Sequence, residues 1–347
     1  MSKINVPLNA VILVGGEGTR LRPLTCHTPK SMVPVLNRPF LEHTIAYLKK
    51  YGVDSVILAM SYLPEAIQGY FGDGSALGVP LTYSVEDSPL GTAGAVKKAE
   101  AHLGSTFAVL NGDIFTDLDI ADMIAYHRRQ KAKVTIALTW VDNPCAFGVV
   151  EIDRIGKVQR FIEKPPPDQV TSHWINAGIY ILESEVLKHV PVSSHYMFEK
   201  GLFPLLLELG EPVYGYSFDG YWLDMGTPEK YLCLNHDLLR SKAKSVLAGV
   251  LSKHEVSCGR KTVVHPTARI IGPAVIADGC RIDQGAQLIG PVVMAADGHI
   301  GENASIGGTV LWRGVRIGDG AVLKQCVIGS NTTIKNNARV INRVVVE

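Results

Sequence analysis

The chain contains no C-x-x-C pair. Its six cysteines (Cys26, Cys145, Cys233, Cys258, Cys280, Cys326) are scattered, which argues against a zinc site or a disulfide framework. They read as small buried hydrophobes in a reducing compartment. An excess of one charge is also missing: 34 Lys and Arg stand against 33 Asp and Glu, a net +1. No broad nucleic-acid or membrane surface is expected, so any recognition of phosphate must rest on local cations. No apolar run reaches membrane-spanning length, and no apolar h-region with a cleavage site opens the chain. The expected location is cytoplasmic. No nucleophile elbow is present either, so the sequence offers no Ser/His/Asp constellation.

The 347 residues, 46% hydrophobic and 19% charged, suit a globular enzyme of two domains. From residue 8 to about 240 strand and helix patterns alternate. Ala10–Val14, Ser55–Ala59 and Thr106–Leu110 read as short buried strands. Asn37-Arg38-Pro39-Phe40 is expected to open a helix with Pro39 in its first turn; Leu41, Ile45 and Leu48 then share one face. The alternation predicts an α/β fold with a doubly wound, mostly parallel, Rossmann-like sheet over 1–240. Ligands of such sheets sit beyond the carboxyl ends of the strands. Residues 227–245 are expected to form a connecting helix.

From Val264 a six-residue rhythm takes over: Ile270, Ile276, Ile282, Leu288, Met294, Ile300 and Ile306 follow. It slips by one residue near Trp312 and resumes at Ile317, Leu323, Ile328, Ile334 and Val340. A period of six excludes an amphipathic helix and predicts a left-handed parallel β-helix of hexapeptide repeats over 246–347.

The densest chemistry lies after the first strand, in Leu13-Val14-Gly15-Gly16-Glu17-Gly18-Thr19-Arg20, with Pro29-Lys30 beyond. Glycines here let backbone N–H groups point at phosphate oxygens, and Arg20 and Lys30 add positive charge. The dinucleotide fingerprint fails because Leu21 stands where its third Gly is due. The P-loop fails because no Lys follows Gly18. Two carboxylates stand in short motifs, Asp113 in Asn111-Gly112-Asp113 and Asp224 in Tyr221-Trp222-Leu223-Asp224-Met225-Gly226. Read alone, Asp113 also suits a turn and Asp224 a helix N-cap before Pro228.

These motifs together resemble the sugar-1-phosphate nucleotidyltransferases, and the resemblance spans about residues 8–240. It implies in-line attack of a sugar phosphate on the α-phosphorus of a nucleoside triphosphate. That reaction needs positioning and charge neutralisation, with no general base. It further implies that Asp113 and Asp224 hold Mg²⁺, that Arg20 and Lys30 act on the triphosphate and transition state, and that Leu13, Gly15, Gly16, Gly18, Thr19 and Gly112 line the nucleotide. Gly148, Glu163 and Lys164 in Phe161-Ile162-Glu163-Lys164-Pro165, and Asn176 and Gly178 in Ile175-Asn176-Ala177-Gly178, are implied for the sugar phosphate.

Leu90-Gly91-Thr92-Ala93-Gly94 resembles the family's base-binding turn. Five residues before Gly91, where uracil- and thymine-using relatives usually carry Gln, stands Glu86. A carboxylate only accepts hydrogen bonds. It therefore suits the adjacent N1–H and amine donors of guanine, and GTP is the expected substrate. The motifs look most like those of the mannose-1-phosphate guanylyltransferases, which implies mannose 1-phosphate as the acceptor. Glucose-1-phosphate uridylyl- or thymidylyltransferase, heptose-1-phosphate guanylyltransferase and a non-catalytic regulatory subunit remain the alternatives. Partners beyond substrates are expected to be copies of the same chain, a homo-oligomer, with no nucleic acid and no membrane. His265 and His299 in the β-helix read as turn residues rather than as acyltransfer bases.

Overall fold

A computed structural model describes residues 8–243, 245 and 255–346; the expected domain start at 246 lies outside them. By internal contacts the chain forms two compact units, Met1–Gly16 with Thr44–Trp222, and Glu17–His43 with Leu223–Glu347.

The first unit is built on one mixed sheet. Its strands are β1 (Asn9–Leu13), β2 (Ser55–Met60), β3 (Leu81–Val85), β4 (Thr106–Asn111), β5 (Val134–Trp140), β6 (Gly148–Ile152), β7 (Val158–Glu163), β8 (Trp174–Glu183) and β9 (Val213–Ser217). The order is β7-β6-β8-β4-β1-β2-β3, with β5 pairing β8 and β9. β7 and β8 run against the other strands, so the sheet is mostly parallel, as the alternating pattern predicts. Val11, Ile57, Phe107, Val109, Tyr180 and Leu182 lie in its buried core. Burial on both faces explains why the central strands read as continuous apolar runs.

The second unit begins at Glu17, within the glycine loop. Leu36 and Asn37 both adopt positive φ (46° and 66°), the turn that favours a two-residue hairpin, and Pro34–Val35 pairs antiparallel with Arg38–Pro39. This hairpin takes Pro39 out of the expected helix, and α1 (Phe40–Tyr51) starts one residue later. Leu41, Ile45 and Leu48 are fully buried, as their spacing requires. The helix expected over 227–245 is shorter, Pro228–Leu239. Thr227, not Asp224, is its N-cap, accepting the Lys230 N–H at 3.4 Å, with Pro228 in the first turn.

Beyond residue 255 short strands stack into three parallel sheets, the arrangement of a left-handed β-helix. Ile276, Ile282, Leu288, Met294, Ile300, Ile306, Leu311, Ile317, Leu323 and Ile328 form one continuous core. The slip in rhythm falls between Ile306 and Leu311, so Leu311, not Trp312, points inward; a second slip separates Leu323 from Ile328. Both fall at the same corner. Val292 stacks on Ala274, 18 residues back, but Val310 stacks on Val293 and Val327 on Val310, steps of 17. At the shortened corner Thr309 donates to the Gly307 carbonyl (2.9 Å) and accepts the Cys326 N–H (3.3 Å).

The cysteines depart from expectation. Only Cys280 and Cys326 are buried, and Cys26, Cys233 and Cys258 are exposed. Cys26 lies in a bend, Cys233 on a helix and Cys258 at the end of a strand, each facing solvent, so burial follows the face a position presents rather than cysteine chemistry alone.

Candidate active site

In the first unit Leu13, Gly15, Gly16, Gly112 and Asp113 lie at or just beyond strand ends. Leu13 closes β1, and its carbonyl accepts the Gly112 N–H at 2.9 Å. Asp113 follows, half-buried, just past β4. The Gly15 carbonyl accepts the Ser61 hydroxyl at 2.9 Å, while Gly16 is exposed.

Glu86 is buried after β3, and its Oε2 accepts the Leu90 N–H at 2.7 Å. The carboxylate thus closes its own loop with one oxygen, an engagement that sequence reasoning did not foresee. Burial raises its pKa, against the Leu90 hydrogen bond and Lys98. Gly91 and Thr92 open α3, Gly91–Lys98; helix α2 is Pro64–Phe71.

The sugar-side residues gather on neighbouring strands. Glu163 ends β7 directly opposite Gly148, which begins β6. A side chain at 148 would come within 2.9 Å of Glu163 Oε2 and 2.7 Å of the Phe161 ring, so only glycine leaves that carboxylate its place. Burial first, then the charge of Glu199, pushes the Glu163 pKa up; Lys164 and Lys200 pull it down. Lys164 is exposed, with Nζ 3.8 Å from Glu163. Asn176 and Gly178 sit where the β8–β5 register breaks, and Asn176 Oδ1 accepts the Gly178 N–H at 2.9 Å. The side chain so satisfies a backbone group that the irregularity strips from the ladder.

Four residues in this unit carry signals that motif reading missed. Asn111 Oδ1 is buried without a hydrogen-bond partner among the described residues, an acceptor awaiting a donor. Trp222 Nε1 donates to the Ala177 carbonyl at 2.9 Å. Tyr180 and Glu199 are buried and polar; only their tertiary partners reveal them.

The second unit carries the other half of the expected site residues. Gly18, at φ +65°, leads into a turn of 3₁₀ helix, Thr19–Leu21. Thr25 Oγ1 donates to its carbonyl at 2.8 Å. Thr19 and Arg20 are exposed, and Lys30, half-buried, begins the turn Lys30–Met32. Arg22 pairs with Glu17 at 3.4 Å on the surface.

Asp224 is buried. Its Oδ2 accepts from Lys230 Nζ at 3.1 Å, while Oδ1 has no hydrogen-bond partner among the described residues. A side chain at Gly226 would lie 2.9 Å from Asp224 Oδ1 and 3.2 Å from Arg20 Nη2, so carboxylate and guanidinium both border one glycine. A buried carboxylate oxygen left unsatisfied is costly, and a divalent cation is the kind of ligand that would satisfy it. The residues fit the metal that the resemblance implies. Among the described residues no three His, Cys, Asp or Glu side chains cluster as a metal cage.

Sequence comparison agrees with this chemistry. The family described as Nucleotidyl transferase matches residues 9–241, and that described as GMPPB C-terminal domain matches 250–347. A mannose-1-phosphate guanylyltransferase of Mycobacterium tuberculosis is 38% identical over 324 residues, 92% of this chain and 83% of that protein. A probable mannose-1-phosphate guanylyltransferase 2 of Arabidopsis thaliana is 36% identical over 354 residues, 96% of this chain and 90% of that one. A solved putative glucose-1-phosphate thymidylyltransferase of Bacillus anthracis superposes with a TM-score of 0.60 at 28% identity, covering 66% of this chain and 94% of that one. Members of this family generally use a divalent metal, and nucleotide and sugar phosphate substrates fit it. No helix of the described residues is long and apolar enough to cross a membrane. The glycine-rich loop, the two aspartate motifs and the hexapeptide coil agree with the matched models, and the chain belongs to the nucleotidyl transferase family and is a nucleotidyltransferase enzyme.

Proposed function

We propose that the enzyme transfers guanylyl from GTP to mannose 1-phosphate, giving GDP-mannose and pyrophosphate. The observation that carries this reading is the buried Asp224 carboxylate, with one oxygen on Lys230 and the other, near Arg20, without a hydrogen-bond partner among the described residues. The names of the similar proteins and the acceptor-only Glu86 support the choice of sugar and base.

A phosphate oxygen of the sugar phosphate bonds to the α-phosphorus as the bond to pyrophosphate breaks. The nucleophile is already an anion, so no side chain removes a proton. Lys164 meets the sugar phosphate as a point charge. Glu163 accepts from sugar hydroxyls, and Asn176 both donates and accepts. Gly148 and Gly178 keep backbone close to the sugar. Leu13, Gly15, Gly16, Gly18, Thr19, Gly112, Gly91 and Thr92 line the nucleotide, and Arg20 and Lys30 neutralise its phosphates. Asp113 and Asp224 would hold Mg²⁺. When bound, that ion offsets the negative charge that the two phosphates bring together.

A cytoplasmic homo-oligomer is part of the same reading. Ile271 and Ile289 are adjacent in register on one β-helix sheet and remain 59% and 45% exposed, the kind of apolar face that a second copy covers.

Pyrophosphate release from GTP plus mannose 1-phosphate, with and without Mg²⁺, tests the assignment. Asp113→Asn and Asp224→Asn are each expected to lower kcat by about 10²-fold or more while the protein still melts cooperatively. Full turnover in either folded variant would refute it. Glu86→Gln is expected to narrow the GTP-over-UTP preference about tenfold, read as the ratio of kcat/KM values.

A further inference from the structure

A buried carboxylate in the first unit ties together two segments assigned to different substrates. Glu199 lies in the helical turn Phe198–Leu202 and is 8% exposed. Its Oε2 accepts from Thr92 Oγ1 at 2.9 Å, and its Oε1 accepts from the Tyr180 hydroxyl at 3.4 Å. Tyr180 in turn accepts from Asn176 Nδ2 at 2.8 Å, and Thr92 Oγ1 accepts the Phe198 N–H at 2.9 Å.

The polarity of this chain admits one solution. A carboxylate only accepts, so both hydroxyls spend their single proton on Glu199. The Tyr180 oxygen is then left to accept, and the Asn176 amide must present nitrogen to it. Asn176 Oδ1 is thereby turned to the Gly178 N–H. One charge so orders the rotor of Thr92 on the base turn and the amide of Asn176 on the sugar side.

We propose that Glu199 is a positioning residue that couples the base-binding turn to the sugar-binding strand, so that both substrates are recognised through one buried network. This rests on the reading of Thr92 as a nucleotide contact and Asn176 as a sugar contact. A second consequence falls on Glu163. The charged groups facing it are Glu199, Lys164 and Lys200, and the Glu199 charge adds to burial in holding its carboxyl above the ordinary range. Taking that charge away lets Glu163 ionise at lower pH.

The test is Glu199→Gln, which keeps the shape but sets an NH₂ against one of two hydroxyls already committed as donors. The expected result is a rise of about 3–10-fold in KM for both GTP and mannose 1-phosphate, with the acid limb of the sugar-phosphate KM profile moved to lower pH. Tyr180→Phe cuts only the sugar arm and is expected to raise the sugar-phosphate KM alone. If Glu199→Gln does not fold, that asymmetry carries the test. A folded Glu199→Gln enzyme with either KM unchanged, or with the acid limb unmoved, overturns the proposal, as does a Tyr180→Phe enzyme with an unaltered sugar-phosphate KM. Thr92→Val and Asn176→Ala separate the two levels. If neither raises the KM of its own substrate, the site reading fails and the coupling falls with it. If both do while Glu199→Gln does not, the coupling alone is wrong.

Discussion

Glu163, proposed above as a sugar contact, carries a cost to stability. Its carboxyl is raised first by burial and then by Glu199. A carboxyl with a raised folded pKa supports the fold below its ordinary value, and that support is lost as pH rises through the folded pKa. At neutral pH the charged side chain therefore weakens the fold. Glu163→Gln is expected to raise Tm at pH 7 by about 1–3 °C while raising the mannose 1-phosphate KM about tenfold. Thermal melts and steady-state kinetics on one preparation check both signs, and a fall in Tm would contradict the account. Glu163 could be proposed from the sequence because its motif is a short string. Glu199 could not, since Thr92 lies 107 positions away and nothing local marks the pairing.

Among elements, helix Pro228–Leu239 and the β-helix corner at Gly308 meet through His236, which bonds the Gly308 backbone. Burial first, then Arg240, pushes its pKa down to about 4. The unfolded chain takes up the proton near pH 6.5 and the folded chain does not, so stability is lost as pH falls from about 6.5 to 4, by up to about 3 kcal/mol. His236→Gln is expected to flatten that slope, measured as the urea midpoint from pH 7 to 4. His43 and His127 are also lowered by burial and would retain their share of the slope. The six-residue beat revealed the coil because it repeats at short range. It did not reveal which face of Trp312 mattered, because a one-residue shortening of a corner is absorbed by turn geometry that Thr309 stabilises.

At the scale of the molecule, the segment that follows the glycine loop packs in one unit with the β-helix. Trp312 Nε1 donates to the Tyr231 hydroxyl at 2.9 Å, and that hydroxyl donates to the Pro34 carbonyl at 2.6 Å, four residues beyond Lys30. The Leu36 N–H donates to Asn235 Oδ1 at 3.0 Å, and Asn37 Nδ2 donates to the Met294 carbonyl at 3.0 Å. Tyr231→Phe would strand the buried Trp312 donor and the Pro34 acceptor. It is expected to cost about 2–4 kcal/mol of unfolding free energy and to raise the GTP KM about threefold, because Lys30 rides on the loosened segment. Chemical unfolding and GTP titration of turnover are the measurements. An unchanged GTP KM at full stability would separate the β-helix from the segment that carries Lys30.

The amino-acid order alone determined the glycine-rich loop, the two aspartate motifs, the mostly parallel sheet and the hexapeptide coil. Each is a property of residues a few positions apart, where backbone geometry and side-chain period act directly. Only the tertiary structure decided that Asp224 keeps one buried oxygen without a partner among the described residues, that Glu86 closes its own loop, that one carboxylate orders Thr92 and Asn176, and that the chain beyond Gly16 packs with the β-helix. Those outcomes depend on which distant groups the topology brings within hydrogen-bond reach. Burial then makes each meeting consequential, because a polar atom removed from water must find its partner inside the protein.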